Sequence, residues 1–141
     1  MKTQVFIIDT NVFIAGLISS TVNSPTVKIV DSMLSGLIIY ALSPTLLKEY
    51  RDVLIRPKLL KLHKLTESEI DQILCEITAN AIWREPEVIH QAPDAGDNHI
   101  WSLLLQANDT ILVTGDQLLL NKAPKDKSVI SPATCLDVFL S

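Results

Sequence analysis

The stretch "VFIIDTNVFIAG", residues 5–16, decides the fold class of this chain. Val5–Ile8 is a short apolar run, which predicts a strand buried on both faces of a sheet. Asp9 ends the run at once, and Thr10 and Asn11 follow it before apolar residues return. An acid at the end of a buried strand either opens an Asx turn or carries chemistry. The rest of the sequence has to decide between these two interpretations.

The composition is typical of a packed globular domain. The chain has 141 residues, of which 48% are hydrophobic and 20% charged, so we expect one domain over residues 1–141. No apolar run approaches the ~20 residues that span a bilayer, and Asp9 ends the first run too early for a signal peptide. We therefore expect a cytoplasmic protein with no membrane partner. The cysteines lack metal-ligand spacing, which argues against a zinc site. Both cysteines and both tryptophans are expected in the core: Cys75, Cys135, Trp83 and Trp101.

Strand and helix signals alternate along the chain. Further apolar runs predict strands at 37–42, 111–113 and 129–130. Ser-Pro pairs and a capping box start helices, which are expected at about 26–34, 44–54, 66–80, 98–107 and 132–140, with a turn or short helix after Asp116. Gly36 and Pro57 are expected to end the first two of these helices. Continuously apolar strands that alternate with helices predict a parallel sheet covered on both faces.

Four acids are expected to meet at one edge of this sheet. Asp9 and Asp116 each follow a predicted buried strand, and open parallel sheets carry their sites at the carboxyl ends of their strands. Asp97 lies just before the predicted helix at 98–107. Glu49 lies on the flank of the apolar stripe of its predicted helix. From that position its side chain can point along the sheet edge and not straight into solvent.

Each acid also has a purely local explanation. Asp97 and Asp116 can cap a helix or a turn, Asp9 can open an Asx turn, and Glu49 can simply face solvent. None of these explanations accounts for four acids at one edge. Two like charges about 4 Å apart repel by about 4 kcal/mol at an effective dielectric of about 20, so the cluster needs protons or a divalent cation. An all-oxygen donor set favours Mg²⁺ or Mn²⁺ over zinc.

The basic residues are unevenly distributed along the chain. The net charge is −4, which argues against nucleic-acid binding on total charge alone, but the four acids account for all of it. Residues 48–64 hold six of the twelve basic residues. Such a stretch beside the acids predicts contacts to a polyanion backbone, with an ordinary solvated helix face as the alternative. The candidate substrate-binding residues are Lys48, Arg51, Arg56 and Lys58.

Four motifs, in order, resemble those of the PIN-domain family of metal-dependent nucleases. They are "IIDTNVFIAGL", "LLKEYRDVL", "PDAGDNHIWSLLLQA" and "ILVTGDQLLL". On this resemblance their functional residues are Asp9 and Asn11, Glu49, Asp94 and Asp97, and Thr114 and Asp116. Ala95-Gly96 stands where relatives often carry proline and another acid. The "RPKL" after the second motif resembles the VapC-like branch, the toxin nucleases of bacterial and archaeal toxin–antitoxin pairs.

The resemblance implies a three-layer α/β/α sandwich with a central, mainly parallel, Rossmann-like sheet, commonly as a homodimer. It implies a metal-dependent endoribonuclease acting on single-stranded or structured RNA, with an antitoxin protein as a second partner. The four acids are then the catalytic residues and hold one or two Mg²⁺ or Mn²⁺ ions. Asp94 is expected to support a second ion or a water, Thr114 to bond a ligand carboxylate or the phosphate, and Asn11 to hold the loop after Asp9.

Two other functions compete with this interpretation. Phosphatases with an aspartyl nucleophile also place an acid after the first strand, but they need acids where this chain has Asn11 and Leu120. A non-catalytic RNA-binding or regulatory PIN module would keep the acids and bind RNA without cleaving it. The three histidines lie in no ligand pattern and are assigned no chemistry: His63, His90 and His99.

Overall fold

A five-stranded, fully parallel sheet lies at the centre of the computed structural model, which describes residues 3–140. The strand order is β3-β2-β1-β4-β5, so the first strand in sequence is the middle strand in space. The strands are β1 (Val5–Ile8), β2 (Ile39–Leu42), β3 (Ile82–Trp83), β4 (Thr110–Val113) and β5 (Ser128–Ile130). All residues of β1 and β4 are buried, as their unbroken apolar runs predict for strands covered on both faces.

Helices flank this sheet and complete a three-layer α/β/α sandwich, which confirms the predicted fold class. They are α1 (Thr10–Ile18), α2 (Pro25–Ser35), α3 (Pro44–Leu54), α4 (Pro57–His63), α5 (Glu67–Asn80), α6 (Asn98–Gln106), α7 (Gln117–Asn121) and α8 (Pro132–Cys135). No helix within residues 3–140 is long and apolar enough to cross a membrane.

The predicted start and stop signals act as their chemistry requires. Ser24 and Ser43 each accept a hydrogen bond from a backbone N–H in the first turn of α2 and α3, with proline as the next residue. Thr66 and Glu69 form both bonds of a capping box at the start of α5. Gly36 ends α2 with a φ of 77°, in the left-handed region that favours glycine.

Buried contacts connect β1 and α1 to α3, the helix that follows β2. The rings of Phe13 on α1 and Tyr50 on α3 stack with centroids 4.2 Å apart. The Tyr50 hydroxyl donates to the Ile8 carbonyl at 2.5 Å, and both residues are fully buried. Burial strongly raises the pKa of Tyr50, so this hydroxyl keeps its proton and the bond. These contacts hold α3 against the carboxyl end of β1, next to Asp9.

Besides the edge strand β3, three elements differ from the sequence prediction. The apolar residues after Asp9 form helix α1, which was not predicted because residues 12–18 are apolar throughout and show no helical periodicity. Pro57 does not merely end α3: it occupies the first turn of a new helix, α4, where its missing N–H costs nothing. The last predicted helix is divided into α8 and a π-helical segment, Leu136–Leu140.

The predicted core residues divide evenly. Trp101 and Cys135 are buried, as expected. Trp83 is 44% exposed on the two-residue edge strand β3, and Cys75 is exposed on α5, so both predictions of burial were wrong. The two residues of β3 are not covered on both faces of the sheet. The strand is also too short to be predicted from an apolar run in the sequence.

Candidate active site

Asp9 stands at the carboxyl end of the middle strand, where it also caps α1. Its Oδ1 accepts from the Thr10 backbone N–H at 2.8 Å, and its Oδ2 accepts from the Thr114 hydroxyl at 2.7 Å. The residue is only 6% exposed. Burial raises the pKa of Asp9, the two hydrogen bonds oppose that shift, and the nearby charges of Glu49 and Asp116 add to it. Asp9 is thus a buried carboxylate that favours a compensating positive charge.

Thr114 connects the two acids that follow the strands. Ile8 on β1 pairs with Val113 on β4, so Asp9 and Thr114 leave the sheet at the same level. The fully buried Thr114 hydroxyl donates to Asp9 and accepts from the Asp116 backbone N–H at 3.0 Å. One hydroxyl therefore orients both the side chain of one acid and the backbone of the other.

Glu49 reaches the same place from helix α3. Its Oε1 accepts from the Thr10 hydroxyl at 2.7 Å, and its Oε2 lies 2.6 Å from Nε2 of His99. The hydrogen bond from His99 is the main reason that the pKa of Glu49 is lowered, against a partial burial that acts in the other direction. Glu49 is thus stabilised in its ionised form by side chains from two other helices.

His99 is the site residue that sequence reasoning missed. It lies on α6, two positions after Asp97, and its side chain is only 14% exposed. Its partner Glu49 lies 50 positions away on another helix, so no local histidine spacing could reveal the pair. Its position beside Asp97 in the third motif is the one signal that the sequence carries.

Asp97 and Asp116 complete the acid group. Burial, followed by the charges of Asp9, Asp94, Asp116 and Glu49, raises the pKa of Asp97 to about 6. Asp97 precedes α6 without making a side-chain cap bond, so its capping explanation does not hold. Asp116 does cap α7, through a 2.9 Å bond from the Leu118 N–H to its Oδ1.

The four acids line one cavity of about 490 Å³ at the carboxyl edge of the sheet. Thr10, Asn11, Val53 and Arg56 line it as well, with Ile14, Ala15 and Ile18 of α1 forming an apolar wall. The structure therefore brings all four predicted acids together around a single open space.

The donor set fits a divalent cation in atom type and charge. The four acids offer only carboxylate oxygens, and burial, with smaller contributions from neighbouring carboxylates, raises the pKa of both Asp9 and Asp97. Within residues 3–140, no three His, Cys, Asp or Glu side chains converge closely enough to form a metal cluster as they stand. Each hydrogen-bonded carboxylate oxygen keeps a second lone pair, so these bonds leave the oxygens able to coordinate a cation.

The sequence model of the PIN domain matches residues 5–118, well over half of the chain and a span that contains all four acids. The chain belongs to the PIN domain family. No curated protein and no solved structure gives a significant match. PIN domains are typically nucleases, so the family supports a phosphodiester-cleaving hydrolase and a nucleic-acid substrate.

Two other predicted residues lie at the margin of the site in this PIN domain. Asp94 is exposed, accepts from the Gly96 N–H at 2.9 Å and begins a short 3₁₀ turn, Ala95–Asp97. It is not part of the cavity lining, although its charge reaches Asp97. Asn11 is exposed and lines the cavity.

The four predicted substrate-binding residues have different surroundings. Lys48 pairs with Asp52 at 2.6 Å, and Arg51 pairs with Asp71 at 2.8 Å in a separate groove between α3 and α5. Arg56 lines the acid cavity and its charge acts on Glu49. Lys58 is exposed on α4, outside that cavity.

A second space of about 340 Å³ adjoins the acid cavity. It shares Glu49, Val53 and Arg56 with the acid cavity and extends along α3 to Lys48 and His99. Arg56 therefore lies at the junction of the two spaces.

Proposed function

We propose that this PIN domain is a Mg²⁺- or Mn²⁺-dependent endoribonuclease. The observation that carries the proposal is the single cavity lined by Asp9, Glu49, Asp97 and Asp116, with Arg56 at its side. Four carboxylates around one space repel one another, and a divalent cation removes that repulsion. The nuclease character of PIN domains favours a phosphodiester as the substrate.

In this proposal the four acids hold one or two cations, directly or through water. A bound cation would supply an activated water and positive charge for the scissile phosphate. Thr114 keeps the Asp9 carboxylate turned toward the cavity through its 2.7 Å bond. The apolar wall of α1 limits water on one side of the cavity and strengthens the electrostatic interactions inside it.

The basic residues supply the contacts to the RNA backbone. Arg56 is exposed and lies where the two spaces meet, so it can bind a phosphate beside the cleavage position. Lys48 lines the adjoining space, where it is paired with Asp52. The exposed Lys58 on α4 follows Arg56 by two positions. Arg51 contributes less, because its guanidinium is bonded to Asp71 and lines neither space. Asp94 would act on a second cation through water, and Asn11 would hold the chain after Asp9.

The finer assignment is to a VapC-like toxin. The "RPKL" sequence after the second motif, residues 56–59, supports it by resemblance. An antitoxin protein and a second copy of the chain are the partners that this assignment adds. Both belong to the proposal and await a measurement of assembly state with and without a co-expressed neighbouring gene product.

The proposal is tested with purified protein and a pool of single-stranded and structured RNA. We expect cleavage with Mn²⁺, none with EDTA, and products with 5′-phosphate and 3′-hydroxyl ends. Asp9→Asn should reduce cleavage by more than the 10–100-fold that follows loss of a residue merely supporting a metal ligand. Asp71→Asn is the matched control, since it removes an exposed acid of α5 that lies outside the acid cavity.

Three outcomes would contradict the proposal. RNA binding without cleavage at saturating Mn²⁺ would indicate a regulatory module. Normal cleavage by the Asp9→Asn variant would mean that Asp9 is not a catalytic residue. Release of phosphate from small esters, with a phosphorylated protein as intermediate, would favour the aspartyl-phosphatase class instead.

A further inference from the structure

The Glu49 carboxylate is hydrogen-bonded through both of its oxygens, although the side chain is partly exposed on the surface of α3. Its side chain is 36% exposed, yet each of its carboxylate oxygens is bonded to a different side chain. Thr10 on α1 bonds Oε1 at 2.7 Å, and His99 on α6 bonds Oε2 at 2.6 Å. Three helices therefore meet at one carboxylate.

In the bond between His99 and Glu49, the hydrogen is on Nε2 of His99. An ionised carboxylate can only accept, and the pKa of Glu49 is lowered, so Nε2 of His99 must donate. The other ring nitrogen, Nδ1, is buried and has no hydrogen-bond partner among the described residues. The ring thus has a single polar contact in residues 3–140, and that contact is made to Glu49.

A glutamate needs such support if it is to act at a fixed point. Immobilising a free Glu side chain costs rotamer entropy, so a carboxylate without partners is not held in one position. His99 is mostly buried on α6, two positions after Asp97, and therefore offers its donor from a rigid element that also carries a site acid. The bond consequently fixes the distance between the carboxylates of α3 and of the α6 start.

We propose that His99 is a positioning residue that holds the Glu49 carboxylate at the acid cavity and so sets the affinity of the site for a divalent cation. The inference rests on the function proposed above and adds a residue that the family resemblance does not assign. Partners that orient ligands in this way typically contribute 10–100-fold to metal affinity or activity.

Two substitutions separate the hydrogen bond from the packing of the ring. His99→Leu keeps an apolar side chain in the buried position and removes the donor. His99→Gln places an amide N–H near the position of Nε2 and keeps the donor. His90→Leu is the control for nonspecific metal binding by a histidine, because His90 is exposed and lies outside the cavity.

Mn²⁺ binding without RNA is measured by electron paramagnetic resonance and calorimetry, with thermal unfolding to verify each fold. We expect His99→Leu to bind Mn²⁺ about 10–100-fold more weakly than the unsubstituted protein. His99→Gln should recover most of that affinity, and His90→Leu should bind like the unsubstituted protein. RNA cleavage should follow the same order, with the loss in the Leu variant diminishing at high Mn²⁺.

The contrary outcomes are distinct. Unchanged or tighter Mn²⁺ binding by His99→Leu overturns the inference and leaves the nuclease proposal standing. Equal weakening in the Leu and Gln variants also overturns it, because the packing of the ring would then be the cause. If the unsubstituted protein binds no Mn²⁺, or Asp9→Asn binds as tightly, the proposed metal site itself fails and the role of His99 fails with it.

Discussion

Helix α3 borders two cavities of opposite character. On one side Glu49 and Val53 face the acid cavity of about 490 Å³. On the other, Leu47 and Arg51 face a larger groove of about 720 Å³, formed with α5 and Trp83 of the edge strand. The groove has more than enough room for a ligand, and the acid cavity is the smaller of the two spaces.

The difference lies in how the charges of each region are compensated. In the groove, Arg51 and Asp71 neutralise each other through two hydrogen bonds, and each moves the other's pKa toward its charged form. In the acid cavity, carboxylates face carboxylates, and the pKa of Asp97 rises to about 6 in consequence of burial and of their repulsion. Chemistry is expected where charge remains uncompensated, whatever the size of the space.

After Asp9→Asn, the largest effect is expected from Thr114→Val, which keeps the shape of this fully buried side chain but removes its hydroxyl. Asp9 and the Asp116 N–H both lose a partner, at a cost of about 1–3 kcal/mol in the free energy of unfolding. Cleavage should fall by about 10–100-fold, because Asp9 is no longer oriented. Chemical denaturation and single-turnover kinetics measure the two losses.

Thr114→Ser is the control for this substitution, since it keeps the hydroxyl and loses a methyl group. It should retain most of the cleavage rate. If the Ser variant is impaired and the Val variant is not, the packing of the methyl group matters and the bond to Asp9 does not.

An intermediate effect is expected from substituting Arg56, which lies just after α3, in comparison with Arg51 on α3. Arg56→Ala should weaken RNA binding and lower the slope of log affinity against log salt by about 0.7, the value for one phosphate contact to a single strand. Arg51→Ala should change that slope far less, because Arg51 is paired with Asp71 in the groove. Fluorescence anisotropy at several salt concentrations distinguishes them. Equal slopes for both variants would show that the RNA also crosses the groove.

The smallest effect concerns stability in metal-free buffer. The pKa of Asp97 is raised to about 6 from 3.8, so its carboxyl favours the folded state at low pH, and that contribution is lost as pH rises through 6. Asp97→Asn should therefore stabilise the metal-free protein at about pH 7.5, by about 1 kcal/mol or less after solvent screening of this half-exposed group.

Asp71, which lines the groove, is the control acid for the Asp97→Asn measurement. Arg51 lowers the pKa of Asp71, so its charge favours folding at neutral pH, and Asp71→Asn should not stabilise the protein there. Thermal unfolding of both variants at about pH 7.5 and pH 5 tests the difference in sign. A destabilised Asp97→Asn variant at the higher pH would mean that neither burial nor the neighbouring acids disfavour the charge of Asp97 in the folded state.

The strands and the acids that follow them were predictable because burial on both faces leaves an unmistakable apolar run. Val5–Ile8 is a strand with the predicted bounds, and the position of Asp9 after it follows directly. Helix α1 was not predictable in the same way, because residues 12–18 are apolar throughout and show no helical periodicity. The edge strand at Trp83 was missed since two residues carry no periodicity.

The hydrogen bonds inside the site lie beyond such reasoning. The link from His99 to Glu49 depends on how α3 and α6 pack, and its two residues are 50 positions apart. The same holds for Arg56 and Arg51, which look alike in the sequence and differ only in which face of the protein they occupy. Three-dimensional packing decides which of two similar side chains meets the acids.

The order of the strands has a consequence for the synthesis of the protein. β1 is made first but occupies the middle of the sheet, and its neighbour β4 arrives last but one. Thr114 follows Asp9 by 105 positions, an interval of roughly 5–20 s at a ribosome adding about 5–20 residues per second. Throughout that interval the nascent chain contains Asp9 and, later, Glu49, but cannot yet assemble the acid cavity. If the domain cleaves RNA, its own messenger and ribosome are exposed to the activity only after the chain has been extended past Asp116.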